Sequence, residues 1–150
     1  MKEIEYKYLV DQSKWYELRK PEPQTIIQGF LSRSKELVVR VRVKGEKGFL
    51  TIKGKSEGIA RTEFEYLIPV DEAKAMLAEF ADKQIIKKRY EINVDGKTWE
   101  VDEFEGALEG LNLAELEVES EDENFTLPDW VTKDVSTDPN YFNAVLIDKC

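Results

Sequence analysis

Along most of this chain, apolar and charged residues alternate one for one. In residues 2–10, Ile4, Tyr6, Tyr8 and Val10 fall on even positions, while Glu3, Glu5 and Lys7 fall on odd ones. A period of two is that of a β-strand, with one face for a core and the other for something polar. The same alternation predicts strands at 25–33, 36–44, 48–54, 60–69, 85–94, 97–104 and 112–120, making eight with the first. Turns separate several of them: KGEKG at 44–48, KSEG at 55–58, and Asp95-Gly96, a strong two-residue hairpin signal.

Three segments have helical spacing instead. Residues 11–20 form a short one stopped by Pro21 and Pro23; residues 71–82 start at Asp71 as N-cap and place Ala73, Met76, Leu77 and Phe80 on one stripe. The third runs over 139–148, with Asp138 as N-cap, Pro139 in the first helical position, and Phe142, Val145 and Leu146 as its apolar stripe. Residues 121–138 are irregular. With no internal boundary or repeat, a single domain over 1–150 is expected. The fold class is α+β, mainly β: an eight-stranded antiparallel barrel, closed or nearly closed, with a few helices packed outside. Such a barrel has room inside for side chains or one small ligand.

The polar face of these strands is charged rather than merely hydrophilic, and the signs are sorted. Arg40, Arg42 and Lys44 share a face in one strand, Thr51, Lys53 and Lys55 in the next, and Arg61, Glu63 and Glu65 in the next. Lys87, Arg89 and Glu91 follow, then Glu100 and Asp102, then Glu115, Glu117 and Glu119. One reading is a solvated sheet face, which commonly alternates apolar and polar residues. The other is a charged interior. Thr, a favourable residue for solvated strands, is scarce at these positions, whereas Glu and Lys are poor strand formers. Paired carboxylates suit a hard divalent cation, and clustered Arg and Lys suit phosphate oxygens. A metal–polyphosphate ligand requires both. The apolar faces would then lie outside, where the helices at 71–82 and 139–148 would cover part of them.

Composition narrows the chemistry. The net charge of −9, from 31 acidic and 22 basic residues, argues against a nucleic-acid or anionic-membrane surface. There is no histidine, which removes Ser-His-Asp and Cys-His catalysis and His-containing zinc sites. The single cysteine, Cys150, leaves no intrachain disulfide. No apolar run approaches a membrane span and no signal-peptide pattern opens the chain, so a cytoplasmic protein is the expectation.

The opening EIEYK resembles the Glu-x-Glu-x-Lys signature of CYTH-domain proteins, the triphosphate tunnel metalloenzymes. IIQGFLS, VVRVRVKG, FLTIKG, RTEFEYLIP, KKRYEI, WEVDEFEGALEGLNLAELEVESED and the PDWV…YFN ending follow in that family's order. The chain is most similar to the short inorganic triphosphatase branch. The resemblance implies a tunnel binding a triphosphate with Mg²⁺ or Mn²⁺, and hydrolysis of inorganic triphosphate to pyrophosphate and phosphate. It implies metal ligation by Glu3, Glu5, Asp102, Glu115 and Glu117, and triphosphate binding by Arg40, Arg42, Lys53, Lys87 and Arg89. Glu63 and Glu65 match an acidic pair of open role. Without histidine a general base must be a carboxylate, a metal hydroxide, or a lysine whose proton is loosened by neighbouring cations, and Lys7 is the catalytic candidate. A homodimer is reasonable on the same resemblance, and no nucleic acid or membrane partner is expected. Two alternatives stay open: a class IV adenylate cyclase or other nucleoside or thiamine triphosphate enzyme, and a non-catalytic polyphosphate-binding module. The sequence departs from the family at Phe30, where a tyrosine often stands. A Gly after Trp130 and an Arg before Tyr141 are absent too, with Thr132 and Asn140 standing nearby.

Overall fold

The computed structural model describes residues 1–150. All eight expected strands form: β1 (Lys2–Val10), β2 (Gln24–Arg33), β3 (Leu37–Lys44), β4 (Lys47–Gly54), β5 (Ala60–Ile68), β6 (Ile85–Val94), β7 (Lys97–Phe104) and β8 (Asn112–Val118). A ninth, β9 (Val131–Asp134), lies in the segment that the alternation left irregular. Every pairing is antiparallel, in the order β5-β4-β3-β2-β6-β7-β8-β1-β9, and β5 also pairs with β1. That last pairing closes an eight-stranded barrel. Along one edge of β1, β5 holds residues Lys2 to Ile4 and β9 holds Tyr8 to Val10. Between them, Ser136 Oγ accepts from the Lys7 amide at 2.8 Å, so that stretch is also bonded. The Asp95-Gly96 hairpin forms as its sequence dictates: both residues have positive φ, 51° and 80°, the requirement of a two-residue type I′ turn.

The apolar faces do point outward, and two patches of cover bury part of them, leaving Phe64 and Tyr66 on β5 exposed. Helix α1 (Gln12–Glu17) is capped by Asp11, whose carboxylate accepts from the Lys14 amide. Its Trp15 packs with Trp99, Trp130, Tyr8 and Leu116 on the outer face of β1, β7 and β8. Glu103, on the outer face of β7, accepts from Trp15 Nε1 at 2.7 Å and fixes this lid. Helix α2 (Val70–Phe80) lies over β2–β4, with Ala73 and Leu77 against Val41 and Val43. It starts one residue before the expected Asp71 cap, after Pro69, which supplies no side-chain bond; Asp71 and Glu72 instead oppose the helix dipole from the first turn.

The C-terminal segment departs from expectation. Asp138 does cap and Pro139 does start a turn, but it is a 3₁₀ turn (Pro139–Tyr141), followed by a four-residue α3 (Asn143–Leu146) and another 3₁₀ turn. Rather than lying over the outside, it closes one end of the barrel. Leu146 and Ile147 pack with Ile85, Phe104 and Leu113, which share the inward parity of the charged residues. There the inward positions turn apolar, so the plug has a surface to bury.

Candidate active site

The register of the closed barrel brings the sorted charges face to face. Glu3 lies opposite Arg61, Glu5 opposite Glu117 and Lys7 opposite Glu115. Arg40 pairs across to Thr51 and Thr51 to Glu65, while Lys53 lies opposite Glu63. One cavity of about 730 Å³ occupies the barrel, and of the residues the family resemblance assigned to the site all but Asp102 line it; Glu91 and Glu119, on the same charged faces, do not. Phe30 lines it too, so the aromatic ring without a hydroxyl is part of the tunnel wall.

Asp102 stands behind the wall with its side chain 1% exposed. Its oxygens accept from Arg89 Nε and Nη2 at 2.8 and 2.9 Å, and Lys87 Nζ lies at 2.7 Å. Both oxygens are thus taken by cations rather than presented to the open tunnel. Burial alone would raise this carboxyl, but the charges of Arg89 and Lys87 outweigh it and hold it down at about 2. Arg89 also reaches Glu100 at 3.3 Å and Glu115 at 3.5 Å. Lys87 is fully buried, and that burial, opposed in part by Asp102, brings its ammonium down to about 7.

On the basic wall, Arg42 donates Nε and Nη2 to Gln28 Oε1, at 3.0 and 2.7 Å. Arg40 Nη2 donates to Thr51 Oγ1, and Thr51 donates in turn to Glu65 at 2.8 Å. The Nε of Arg40 is buried with no partner. A buried N–H without an acceptor is costly, so an anion in this cavity would satisfy a group that the protein leaves open.

On the acidic wall, Lys53 bridges Glu3 at 3.0 Å and Glu63 at 3.3 Å. Burial raises the Glu5 carboxyl well above its ordinary value, and the neighbouring Glu115 raises it further. Glu115 goes the other way, because Lys7 and Arg89 together with the bond from Glu5 outweigh its burial. Glu117 is raised by burial and by Glu3, Glu63 and Glu100 around it. No three carboxylates converge on one point at coordinating distance. The donors are all hard oxygens, crowded enough that Glu115 and Glu3 add to the upward shift of the Glu5 carboxyl; a hard divalent cation would relieve the same repulsion. The chemistry of this donor set therefore fits such an ion.

Lys7 is placed differently from expectation. Its Nζ donates to the Tyr141 carbonyl at 3.0 Å, lies 3.8 Å from Glu115, and faces the Phe142 ring. Its neighbours are acceptors rather than cations, because Lys87 and Arg89 turn to Asp102.

Three lining or supporting residues escape the alternation, and Thr51, though placed on the charged face, has no role assigned by it. Gln28 and Thr51 share the inward parity but are neutral. Arg33 has the wrong parity by count; a bulge between Phe30 and Ser32 turns it inward, opposite Val38. Asn143 comes from the plug, and its Oδ1 accepts from Gln28 and Lys87.

Comparison with known proteins agrees with this architecture. The CYTH domain profile matches residues 1–144. An inorganic triphosphatase of Acetivibrio thermocellus is 45% identical over 147 residues, covering 97% of this chain and 93% of that protein. One of Nitrosomonas europaea is 33% identical over 150 residues, covering 97% of each. A crystal structure of an inorganic triphosphatase superposes with a TM-score of 0.66 at 30% identity, covering 97% of this chain and 93% of that one.

Proposed function

Because this chain belongs to the CYTH domain family, we propose that its tunnel hydrolyses inorganic triphosphate to pyrophosphate and phosphate. What carries the reading is one cavity with two chemically opposite walls: an acidic one of crowded glutamates and a basic one whose Arg40 keeps a buried N–H unpartnered. The relatives named inorganic triphosphatase, matched over nearly their full lengths, support the choice of substrate.

In this reading Arg40, Arg42, Lys53, Lys87 and Arg89 hold the phosphate oxygens. Glu3, Glu5, Glu115 and Glu117 would hold Mg²⁺ or Mn²⁺, which when bound offsets phosphate charge and makes a water more acidic. Asp102 is assigned to orienting Lys87 and Arg89 rather than to the metal, since both its oxygens are engaged by them. Lys7, anchored on the Tyr141 carbonyl beside Glu115, has a further N–H to present to the reacting phosphate. Glu63 and Glu65 hold Lys53 and Thr51 in place. The plugged end and enclosing walls restrict water, so charge stabilisation acts in a low-dielectric space. No covalent intermediate is required: water attacks the terminal phosphorus, the anhydride P–O bond breaks, and pyrophosphate leaves.

The test is a product assay with purified protein, given triphosphate, ATP or thiamine triphosphate with Mg²⁺ or Mn²⁺. Equal phosphate and pyrophosphate from triphosphate is the expected result. Cyclic AMP as main product from ATP, or no turnover of any substrate, would overturn the reading.

A further inference from the structure

The plug carries a polar group into the tunnel's basic wall, and the hydrogen bonds around it leave one arrangement. Arg42 has only donors, so the Gln28 amide must turn Oε1 toward it, and it receives two N–H groups there. The other end of that amide, Nε2, must then donate, and it does so to Asn143 Oδ1 at 2.7 Å. Lys87 also has only donors and gives one to the same Oδ1 at 3.0 Å. Gln28 and Lys87 are completely buried, so no solvent can substitute for this acceptor. Three donor-bearing side chains on β2, β3 and β6 are thus tied to one oxygen of the C-terminal segment.

We propose that Asn143 is a positioning residue for the triphosphate site, fixing Lys87 directly and Arg42 through Gln28. The inference rests on the triphosphatase reading and deepens it. Without an acceptor at position 143, Gln28 would be free to rotate its amide and release Arg42, while Lys87 would swing toward Asp102 alone. Both cations would then have to be ordered by the substrate itself, which weakens binding more than it slows the chemical step.

The experiment uses the full chain carrying Asn143→Leu, similar in volume but without an acceptor, alongside Gln28→Leu and the double variant. Wild-type turnover of triphosphate is measured first; its absence would overturn the triphosphatase reading independently of Asn143. Given wild-type activity, Asn143→Leu is expected to raise KM for triphosphate about tenfold and change kcat less than about threefold, the size of one lost charge-assisted contact. Gln28→Leu should raise KM similarly, and the double variant by no more than either single one, because both break one chain of bonds. An unchanged KM with only a lowered Tm would overturn the proposal, as would KM effects that multiply in the double variant. Should Asn143→Leu fail to yield folded protein, Asn143→Ser decides: its hydroxyl is too short to reach Lys87 and Gln28 together, and the same rise in KM is expected. An unchanged KM there would refute the role.

Discussion

Replacing Asp102 by Asn distinguishes the metal ligation implied by the family resemblance from the pairing with Lys87 and Arg89 seen in the structure. The substitution keeps the side chain's size but removes the charge facing Lys87 and Arg89, whose side chains are 1% and 7% exposed. Breaking a buried ion pair by removing one partner costs about 3–5 kcal/mol. The lower end applies here, for two reasons. Arg89 retains Glu100 and Glu115 at 3.3 and 3.5 Å. Lys87, already brought to about 7 by burial, can release its proton once Asp102 is neutralised. For a domain of this size each kcal/mol moves Tm by roughly 2–4 °C, so a loss of ~3 kcal/mol lowers Tm by roughly 6–12 °C. The assay is thermal unfolding of both proteins across pH. The Asp102 carboxyl lies at about 2 in the folded protein against an ordinary 3.8. A depressed carboxylate contributes its full stability above the ordinary value and loses it as pH falls through the folded one. Below about pH 4 the Tm gap between the proteins should therefore narrow, closing toward pH 2. An unchanged Tm at neutral pH, with a large increase in the Mg²⁺ needed for half-maximal turnover, would refute the assignment and make Asp102 a metal ligand.

Glu117→Gln should abolish metal-dependent turnover while leaving Tm within a few degrees, because Glu117 has no ion pair to lose; wild-type turnover would remove it from the site. Phe30→Tyr places a hydroxyl on the tunnel wall and should alter the rate, the pH–rate profile or the substrate preference. If all three stay unchanged, position 30 has no part in proton transfer. Gly48→Ala would set a Cβ 2.8 Å from that of Ala73 and 3.0 Å from the Ile68 carbonyl, so α2 must shift off the sheet. A destabilisation of about 1–3 kcal/mol is expected in urea unfolding, with KM unaffected; an unperturbed midpoint would show that α2 is not seated as described.

The barrel strands were readable because their inward residues are charged and their outward ones apolar, a contrast that survives even without knowing which side is inside. The cavity lining followed for the same reason: the charged site candidates share the inward parity, and all but Asp102 line the cavity. Alternation fails where it is interrupted or silent. The bulge at Leu31 reverses the parity of Arg33, and Gln28 does not announce itself by charge. Parity also cannot say how deep a residue lies. Asp102 faces inward like the others, and only the register beside Arg89 shows that two cations screen it from the open space. The plug was hidden because Phe142, Val145 and Leu146 read as one helical stripe. In the structure Leu146 is buried among barrel residues while Val145 lines the cavity. β9 is four residues long and borrows its pairing from β1, too little for a periodic signal.

The closure of β1 has a consequence in time. The chain's first strand finds its neighbours at Ala60–Thr62, at Leu113–Val118 and at Val131–Asp134, so its contacts span most of the sequence. Such long-range pairing makes folding slow, on the order of milliseconds to seconds. Glu3 can meet Lys53 and Arg61 once β4 and β5 exist, whereas Glu5 and Lys7 lie opposite Glu117 and Glu115 and must wait for β8. The barrel becomes a tunnel only when β8 and the plug join strands placed far earlier in the sequence.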